Sequence, residues 1–249
     1  MNLSAIIFFL LVMLYNTFKD NFKRLKKRTG KMKKSCKEIK EELVMQRAKE
    51  MWLGIDTFYC ATSHPERAKA IESFLKNEFF PLLKKTDNVV EFACAEGEYT
   101  LMVAPHVNKI DAFDLSERFI LKAKKRMQEN GITNVNFVGN GVDVTTFTIS
   151  EKYDAFVCLG LFSYIPERKK ADHVVEQIAG SLSKGSPLVL NDKIWKGKTR
   201  LHLKKKLGAI SRSKEEYLSL FEKDFEVLKA VTLQECDQFE GFACIMVKK

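Results

Sequence analysis

The chain has few of the residues that would mark a scaffold held together by anything but packing. Its six cysteines, at positions 36, 60, 94, 158, 236 and 244, form no C-x-x-C pair and no Cys/His cluster of metal spacing. That excludes a disulfide framework and a zinc site, predicts no metal, and points to a reducing compartment. Cys94 and Cys158 fall within apolar strand-like runs, where thiols are usually buried spectators. With 5 prolines and 12 glycines in 249 residues, the chain is neither collagenous nor of low complexity. There is no internal repeat. Histidine is scarce, with 4, so acid–base chemistry has few of its commonest agents. A hydrophobic content of 45% is enough for one sizeable core plus an appendage.

Residues 1–18 carry no charged side chain, and the stretch that follows supplies what they lack. Between Lys19 and Lys40 stand eleven Lys/Arg and two acidic residues, a balance of +9 out of an overall +10. The globular remainder, 41–249, is nearly neutral, which leaves no continuous basic stripe and argues against a nucleic-acid partner. The apolar run Leu3–Phe18 (LSAIIFFLLVMLYNTF) would make about 24 Å of helix at 1.5 Å per residue, short of a hydrocarbon core of about 30 Å. With Lys19 and Lys23 snorkelling it can still serve as a membrane anchor, and the basic flank then places the rest of the chain on the cytoplasmic side. A signal peptide lacks its basic n-region and cleavage site, and a surface helix lacks its polar face. If Met32, Met45 or Met51 is the true start, the protein is cytoplasmic. The expected organisation is an anchor at 1–18, a basic linker and helix at 19–50, and one domain at 51–249.

Within that organisation, SCKEIKEELVMQRAKEM, Ser35–Met51, has helical spacing. The stretch TSHPERAKAIESFLKNEFFPLL predicts another helix that stops near Pro81, with Ser63 as N-cap, Glu66 as its capping-box partner and Pro65 in the first turn. Strands and helices then alternate. Val89–Ala93, Lys109–Asp114, Asn134–Val138, Tyr153–Leu159 and Pro187–Leu190 read as strands; Thr100–His106, Glu117–Glu129 and Lys169–Leu182 read as helices. This alternation predicts an α/β fold with a doubly wound, mostly parallel sheet. Phe225–Leu233 and Gly241–Val247 follow without a helix between them, so they close the chain as an antiparallel pair. A 51–86 lid, an 87–192 core and a 193–249 lid with terminal hairpin subdivide the domain.

In such a sheet the ligand site lies at the carboxyl ends of the strands. The first strand leaves through EFACAEGEYT, with Glu91 inside the strand and Ala93, Ala95 and Gly97 where a G-x-G-x-G run places its glycines. Alanine serves there if φ is negative; a positive φ costs roughly 1–2 kcal/mol per residue and favours an inactive scaffold. Asp114 ends the second strand, where a carboxylate can take both hydroxyls of a ribose or cap the helix that starts near Ser116.

VVEFACAEGEYT, IDAFDLSERFILKAKKR, NVNFVGNGVDV, YDAFVCLGLFSYIP and SLSKGSPLVLND stand in the order and spacing of a family. Over about Asp87–Asp192 the chain resembles a class I S-adenosylmethionine-dependent methyltransferase. ACAEGEYT is also similar to the subgroup with nodulation-type enzymes that act on sugars. The resemblance implies a seven-stranded Rossmann-like sheet and S-adenosyl-L-methionine as cofactor. Glu91 would support the loop and the methionine end, with Ala93, Ala95 and Gly97 as the close-approach loop. Asp114 would take the ribose, with Leu115 beside the adenine. Asn140 and Gly141 align where the family carries an acidic adenine contact, with Asp143 two residues on. Leu159 and Gly160 would lie beneath the methylthio group, and Phe162–Ile165 would border the acceptor.

Methyl transfer from a sulfonium needs an aligned acceptor and, for a hydroxyl or ammonium, removal of a proton. Tyr164 and Asp192, at strand ends, are the best-placed bases, and Tyr59 or His64 could reach the site if the first helices fold over it. His106, His173 and His202 read as structural. The stretch Lys193–Arg212 carries eight Lys/Arg and no acidic residue; it is either an acceptor lid for a phosphate, an acidic saccharide or lipid headgroups, or a solvated basic helix. The expected acceptor is a small molecule, a saccharide or a lipid-linked group, methylated on O or N, and the competing reading is an inactive module of the same fold.

Overall fold

The computed structural model describes residues 35–56, 64–204 and 207–249. The expected anchor at 1–18, most of the basic run, Tyr59 and Ser63 lie outside them. Lys40–Lys249 forms one compact unit; of a second, Met1–Ile39, only the start of a helix at 35–39 is described. The compact unit therefore reaches back past Met51 and includes most of the first helix. Among the described residues no helix is long and apolar enough to cross a membrane.

Helices α1 (Cys36–Gly54) and α2 (Pro65–Phe74) precede the sheet. The N-cap of α2 is His64, whose side chain makes no capping bond, and Pro65 sits in the first turn, where its missing N–H is no loss. A π turn (Leu75–Phe79) and a 3-10 turn (Phe80–Leu82) carry the chain on from α2 and bury Leu75, Phe79 and Phe80. Then follow β1 (Asn88–Phe92), α3 (Glu98–Val103), β2 (Lys109–Phe113), α4 (Glu117–Glu129), β3 (Val135–Phe137), β4 (Ala155–Leu159), α5 (Arg168–Ser181) and β5 (Pro187–Trp195). The chain continues through β6 (Arg200–Lys204), β7 (Leu207–Ser211), α6 (Lys214–Leu218), β8 (Phe225–Glu235) and β9 (Phe239–Lys248).

Seven strands form one sheet in the order β3-β2-β1-β4-β5-β9-β8. The first five run parallel; β9 is antiparallel to both β5 and β8. Strand order reverses between β1 and β4, the switch point at which an open sheet leaves a crevice above its carboxyl ends. Alternate residues feed two cores. Phe92, Phe113 and Phe156 meet edge-on, with Phe92 5.3 Å from Phe113 and 5.0 Å from Phe156, and pack with Val174 and Ile178 of α5. Val89, Ile110 and Val157 pack with Ile71, Phe74 and Leu75 at the start of the chain. Both faces of the central strands are thus closed to water, and a fully buried Phe or Leu contributes roughly 1.5–3 kcal/mol.

Two elements differ from the expectation. Strand β5 runs on to Trp195, because β9 pairs with it in unbroken register from Pro187↔Val247 to Trp195↔Phe239. The basic stretch after it forms the separate antiparallel pair β6–β7, with no helix. That pair leans on α1: a Cβ at Gly208 would collide with the Val44 carbonyl and the Ala48 amide, so only glycine allows the two to approach so closely.

Candidate active site

The carboxyl ends of β2, β1, β4 and β5 open into one cleft. With strands about 4.8 Å apart, three spacings put roughly 14 Å between the β2 and β5 ends. Asp114 lines one end; Ala93 and Ala95, then Leu159 and Gly160, follow; Asn191 and Asp192 line the other. The cleft encloses a cavity of about 170 Å³, below the roughly 300–1000 Å³ of ordinary ligand pockets.

The β1 exit loop answers the question its alanines raise. Both stand at positive φ, Ala93 at 59° and Ala95 at 47°, so the condition under which alanine costs nothing is not met. Hydrogen bonds hold the loop in that conformation. Cys94 N donates to Phe113 O at 3.1 Å, Ala95 N to the Asp114 carboxylate at 2.9 Å, and Gly97 N to Cys94 O at 2.9 Å. Two of the three tie the loop to the end of β2. Strained αL residues held this way cluster at ligand sites.

Asp114 takes Ala95 N on one oxygen and Ser116 N, at 2.8 Å, on the other. Each oxygen keeps a lone pair for a further donor from the cleft. Ser116 itself caps α4, accepting from Phe119 N, so Asp114 joins strand to cap and still faces the cleft. Burial pushes its carboxyl up against those backbone donors. Leu115 lines the cleft next to it.

Glu91 and Gly97 stand behind this surface. Glu91 is buried, accepts from Thr100 Oγ1 at 2.7 Å, and burial raises its carboxyl to about 7 despite that bond. Gly97 caps α3 at φ 76° and packs on α4, where an added Cβ would lie 3.1 Å from Ala123 Cβ. It brings helix to helix. Asn140 and Gly141 are exposed and outside the cleft lining. Gly141 sits at φ 100° against the Leu115 carbonyl, while Val142 N donates to Asp114 O at 2.7 Å. That turn brings Val142 and Asp143 into the cleft instead. The Asp143 carboxylate accepts from Lys49 Nζ and from Thr145 N and Oγ1; burial raises it, but these bonds outweigh burial and hold it below the ordinary range.

Tyr164 and Asp192 meet at the far end. Asp192 accepts from Ser163 N at 3.1 Å, from Ser163 Oγ and from Lys193 N at 3.0 Å, and burial pushes it above the usual carboxylate range. Burial, then the Asp192 charge, raises the Tyr164 phenol to about 12, so at neutral pH it donates rather than takes a proton. His64 is exposed and does not line the cleft; burial, then Lys193 and Arg67, lower its pKa and keep it neutral.

Several lining residues carried no sequence signal. Met45, Lys49 and Trp52 reach in from α1, and Trp52 meets Tyr164 edge-on at 4.9 Å. Arg67 and Ile71 enter from one face of α2. Arg212, buried after β7, donates to Phe162 O and Ile165 O, both at 2.6 Å, and so fixes the turn that carries Ser163 and Tyr164. Among the described residues no group of three or more His, Cys, Asp or Glu could hold a metal ion.

Residues 89–185 match the family described as methyltransferase domain. Nodulation protein S of Sinorhizobium fredii (strain NBRC 101917 / NGR234) is 25% identical over 114 residues, 43% of this chain and 51% of that protein. The chain thus spans about half the length of the curated relative it matches. Among solved structures, the N-methyltransferase NodS from Bradyrhizobium japonicum WM9 in complex with S-adenosyl-l-homocysteine superposes with a TM-score of 0.59 at 15% identity, over 82% of this chain and 98% of that one. The DhpI–SAH complex superposes with a TM-score of 0.62 at 16% identity, over 82% and 97%. These likenesses show the fold, and the family match falls on β1 through the turn before β5. The loop after β1, the carboxylate after β2 and the seven-stranded order agree with them: the chain has the Rossmann-like fold of these methyltransferases, and residues 89–185 match a methyltransferase domain.

Proposed function

We propose that the protein transfers a methyl group from S-adenosylmethionine to an O or N atom of a small-molecule, saccharide or lipid-linked acceptor. The observation that carries this reading is a single cleft with the Asp114 carboxylate at one end and the Asp192–Tyr164 pair at the other, joined by a floor of Ala93, Ala95, Leu159 and Gly160. The residues present fit the cofactor: Asp114 keeps acceptor capacity for two ribose hydroxyls, and Leu115, Val142 and Phe119 offer an apolar slot beside it. When bound, the cofactor supplies an electrophilic methyl group on a sulfonium. The chain supplies alignment and exclusion of water, with α1 closing over the cleft. Asp192 is the proton acceptor the geometry favours, because burial raises its affinity for a proton while Tyr164 stays protonated.

The known likenesses support this reading, since the relatives named above include an N-methyltransferase and two structures with S-adenosyl-l-homocysteine. The apolar run at 1–18 and the basic run after it support a second part of the proposal, a membrane tether with the domain on the cytoplasmic side. A different reading, an inactive module of this fold, is favoured by one observation: two αL alanines where glycine would be unstrained.

Calorimetry on the full chain tests the proposal. S-adenosylmethionine binds in the micromolar range, and Asp114→Ala weakens it about 10–100-fold, the loss of a charged hydrogen-bond acceptor worth about 1.5–3 kcal/mol. Folded protein that binds no cofactor refutes the proposal. Incubation with labelled cofactor and extract separated into lipid, saccharide and protein pools yields a methylated product; cofactor bound without turnover in every pool favours the inactive module.

A further inference from the structure

The end of the cleft farthest from Asp114 holds a cation that no carboxylate hydrogen-bonds among the described residues, although the Asp192 charge lies within its reach. Arg67 stands in the first turn of α2 and lines the cleft, with Ile71 one turn on. Its Nη2 donates to Asn191 Oδ1 at 2.7 Å. Its Nε is sealed from solvent and has no hydrogen-bond partner. Among the described residues the guanidinium makes no carboxylate pair. Asp192, whose charge Arg67 favours through space, takes its hydrogen bonds from Ser163 and Lys193 N instead. A buried N–H without a partner costs roughly 1–3 kcal/mol, and an oxyanion on the guanidinium fork removes that cost.

The surroundings add positive charge. Lys193, exposed on β5, also lines this end, with its ammonium 5.3 Å from the Phe239 ring. Lys193 and Arg67 together depress the His64 imidazole after burial has done so. Register places the cluster on the acceptor side. Asn191 pairs with Leu159 of β4, so Arg67 is anchored three strands away from the Asp114 carboxylate, beyond the β1 loop and β4.

We propose that Arg67, with Lys193, is the seat of an oxyanion carried by the methyl acceptor, a carboxylate or a phosphate, which orients the acceptor so that its nucleophilic atom lies by Asp192 and Tyr164. The inference rests on the reading of the cleft given above and narrows it: the acceptor is an acid, such as a uronate or a phosphorylated saccharide or lipid headgroup. A fixed guanidinium bonded to Asn191 suits planar, two-point recognition, for which a lysine is a poor substitute.

The test titrates inorganic phosphate, against chloride at constant ionic strength, into the full-length protein saturated with S-adenosylhomocysteine. The readout is tryptophan emission, since Trp52 packs on Tyr164 in the cleft. Wild type shows a saturable change; in Arg67→Gln half-saturation rises at least fivefold, and Arg67→Lys recovers part of it. Cofactor-product affinity stays within twofold in both variants, and the thermal midpoint certifies folding; if Arg67→Gln fails to fold, Arg67→Lys carries the comparison. An identical phosphate response in wild type and variant, or none in wild type, overturns the proposal. So does a tenfold loss of S-adenosylhomocysteine affinity in the variants, which assigns Arg67 to the cofactor's own carboxylate. Failure of folded wild type to bind S-adenosylhomocysteine refutes the cofactor reading instead, and the phosphate titration without it still decides the oxyanion seat.

Discussion

Replacing the two αL alanines by glycine stabilises the protein, and the amount follows from the backbone alone. Ala93 and Ala95 stand at φ 59° and 47°, where an L-residue with a Cβ pays about 1–2 kcal/mol. Glycine removes that strain but frees the unfolded chain, at about 0.4–1 kcal/mol per site. The difference leaves about 0.5–1 kcal/mol per substitution, so Ala93→Gly/Ala95→Gly gains about 1–2 kcal/mol, or about 2–8 °C in Tm for a chain of this size. The assay is urea unfolding, in which the midpoint rises while the slope is unchanged. The Gly97→Ala variant is the opposite control: it puts a Cβ at φ 76° and 3.1 Å from Ala123 Cβ, and the midpoint falls. A lower midpoint for either alanine variant refutes the reasoning. The double variant also weighs the two functional readings. Cofactor affinity within threefold of wild type means the methyl groups do not obstruct the cleft; a gain of tenfold or more means they do, and favours the inactive module.

Arg212→Met leaves the Phe162 and Ile165 carbonyls without their charged donor, which costs about 3 kcal/mol or more and loosens the turn under Tyr164; a urea midpoint equal to wild type contradicts this. Gly208→Val forces a side chain into the Val44–Ala48 backbone of α1 at a cost of about 1–3 kcal/mol, so α1 lifts, Trp52 emission shifts to the red and cofactor binding weakens; unchanged emission argues against the contact. Glu91 has a carboxyl raised to about 7 from an ordinary 4.5. The folded state then holds a proton that the unfolded state releases, so its contribution is fully present below pH 4.5 and is lost as pH rises to about 7, up to roughly 3 kcal/mol at 1.36 per unit. Stability measured across that window falls less steeply in Glu91→Gln, and equal slopes exclude a protonated Glu91.

The parallel core was legible because each of its strands is short, apolar and separated from the next by a helix, a pattern that permits little besides right-handed crossovers. The terminal strands were legible for the converse reason, the missing helix between them. The basic stretch after Pro187–Leu190 was not: its lysines are compatible with helix or strand, and the close seat of Gly208 on α1, which fits the β6–β7 pair there, involves residues remote in sequence. The site divides along the same line. Asp114 and the β1 loop depend on neighbours within one strand-turn unit, so spacing alone located them. The sign of φ at Ala93 and Ala95 was beyond spacing, because hydrogen bonds to Phe113 O and Asp114 select it. The acceptor end lies further still from any local pattern. Arg67, Asn191, Asp192, Lys193 and Arg212 come from α2, β5 and the residue after β7, and only the closed fold gathers them. Arg212 shows why composition misleads: in sequence it is one more cation of a basic run, yet it is buried and spends both ends of its guanidinium on carbonyls. Arg67 shares with Arg212 an Nε that has no partner, but it is only partly buried and bonds the Asn191 side chain rather than main-chain carbonyls. What separates the two is placement, since Arg67 lines the cleft and Arg212 stands behind the turn it fixes, and no count of charges could supply that distinction.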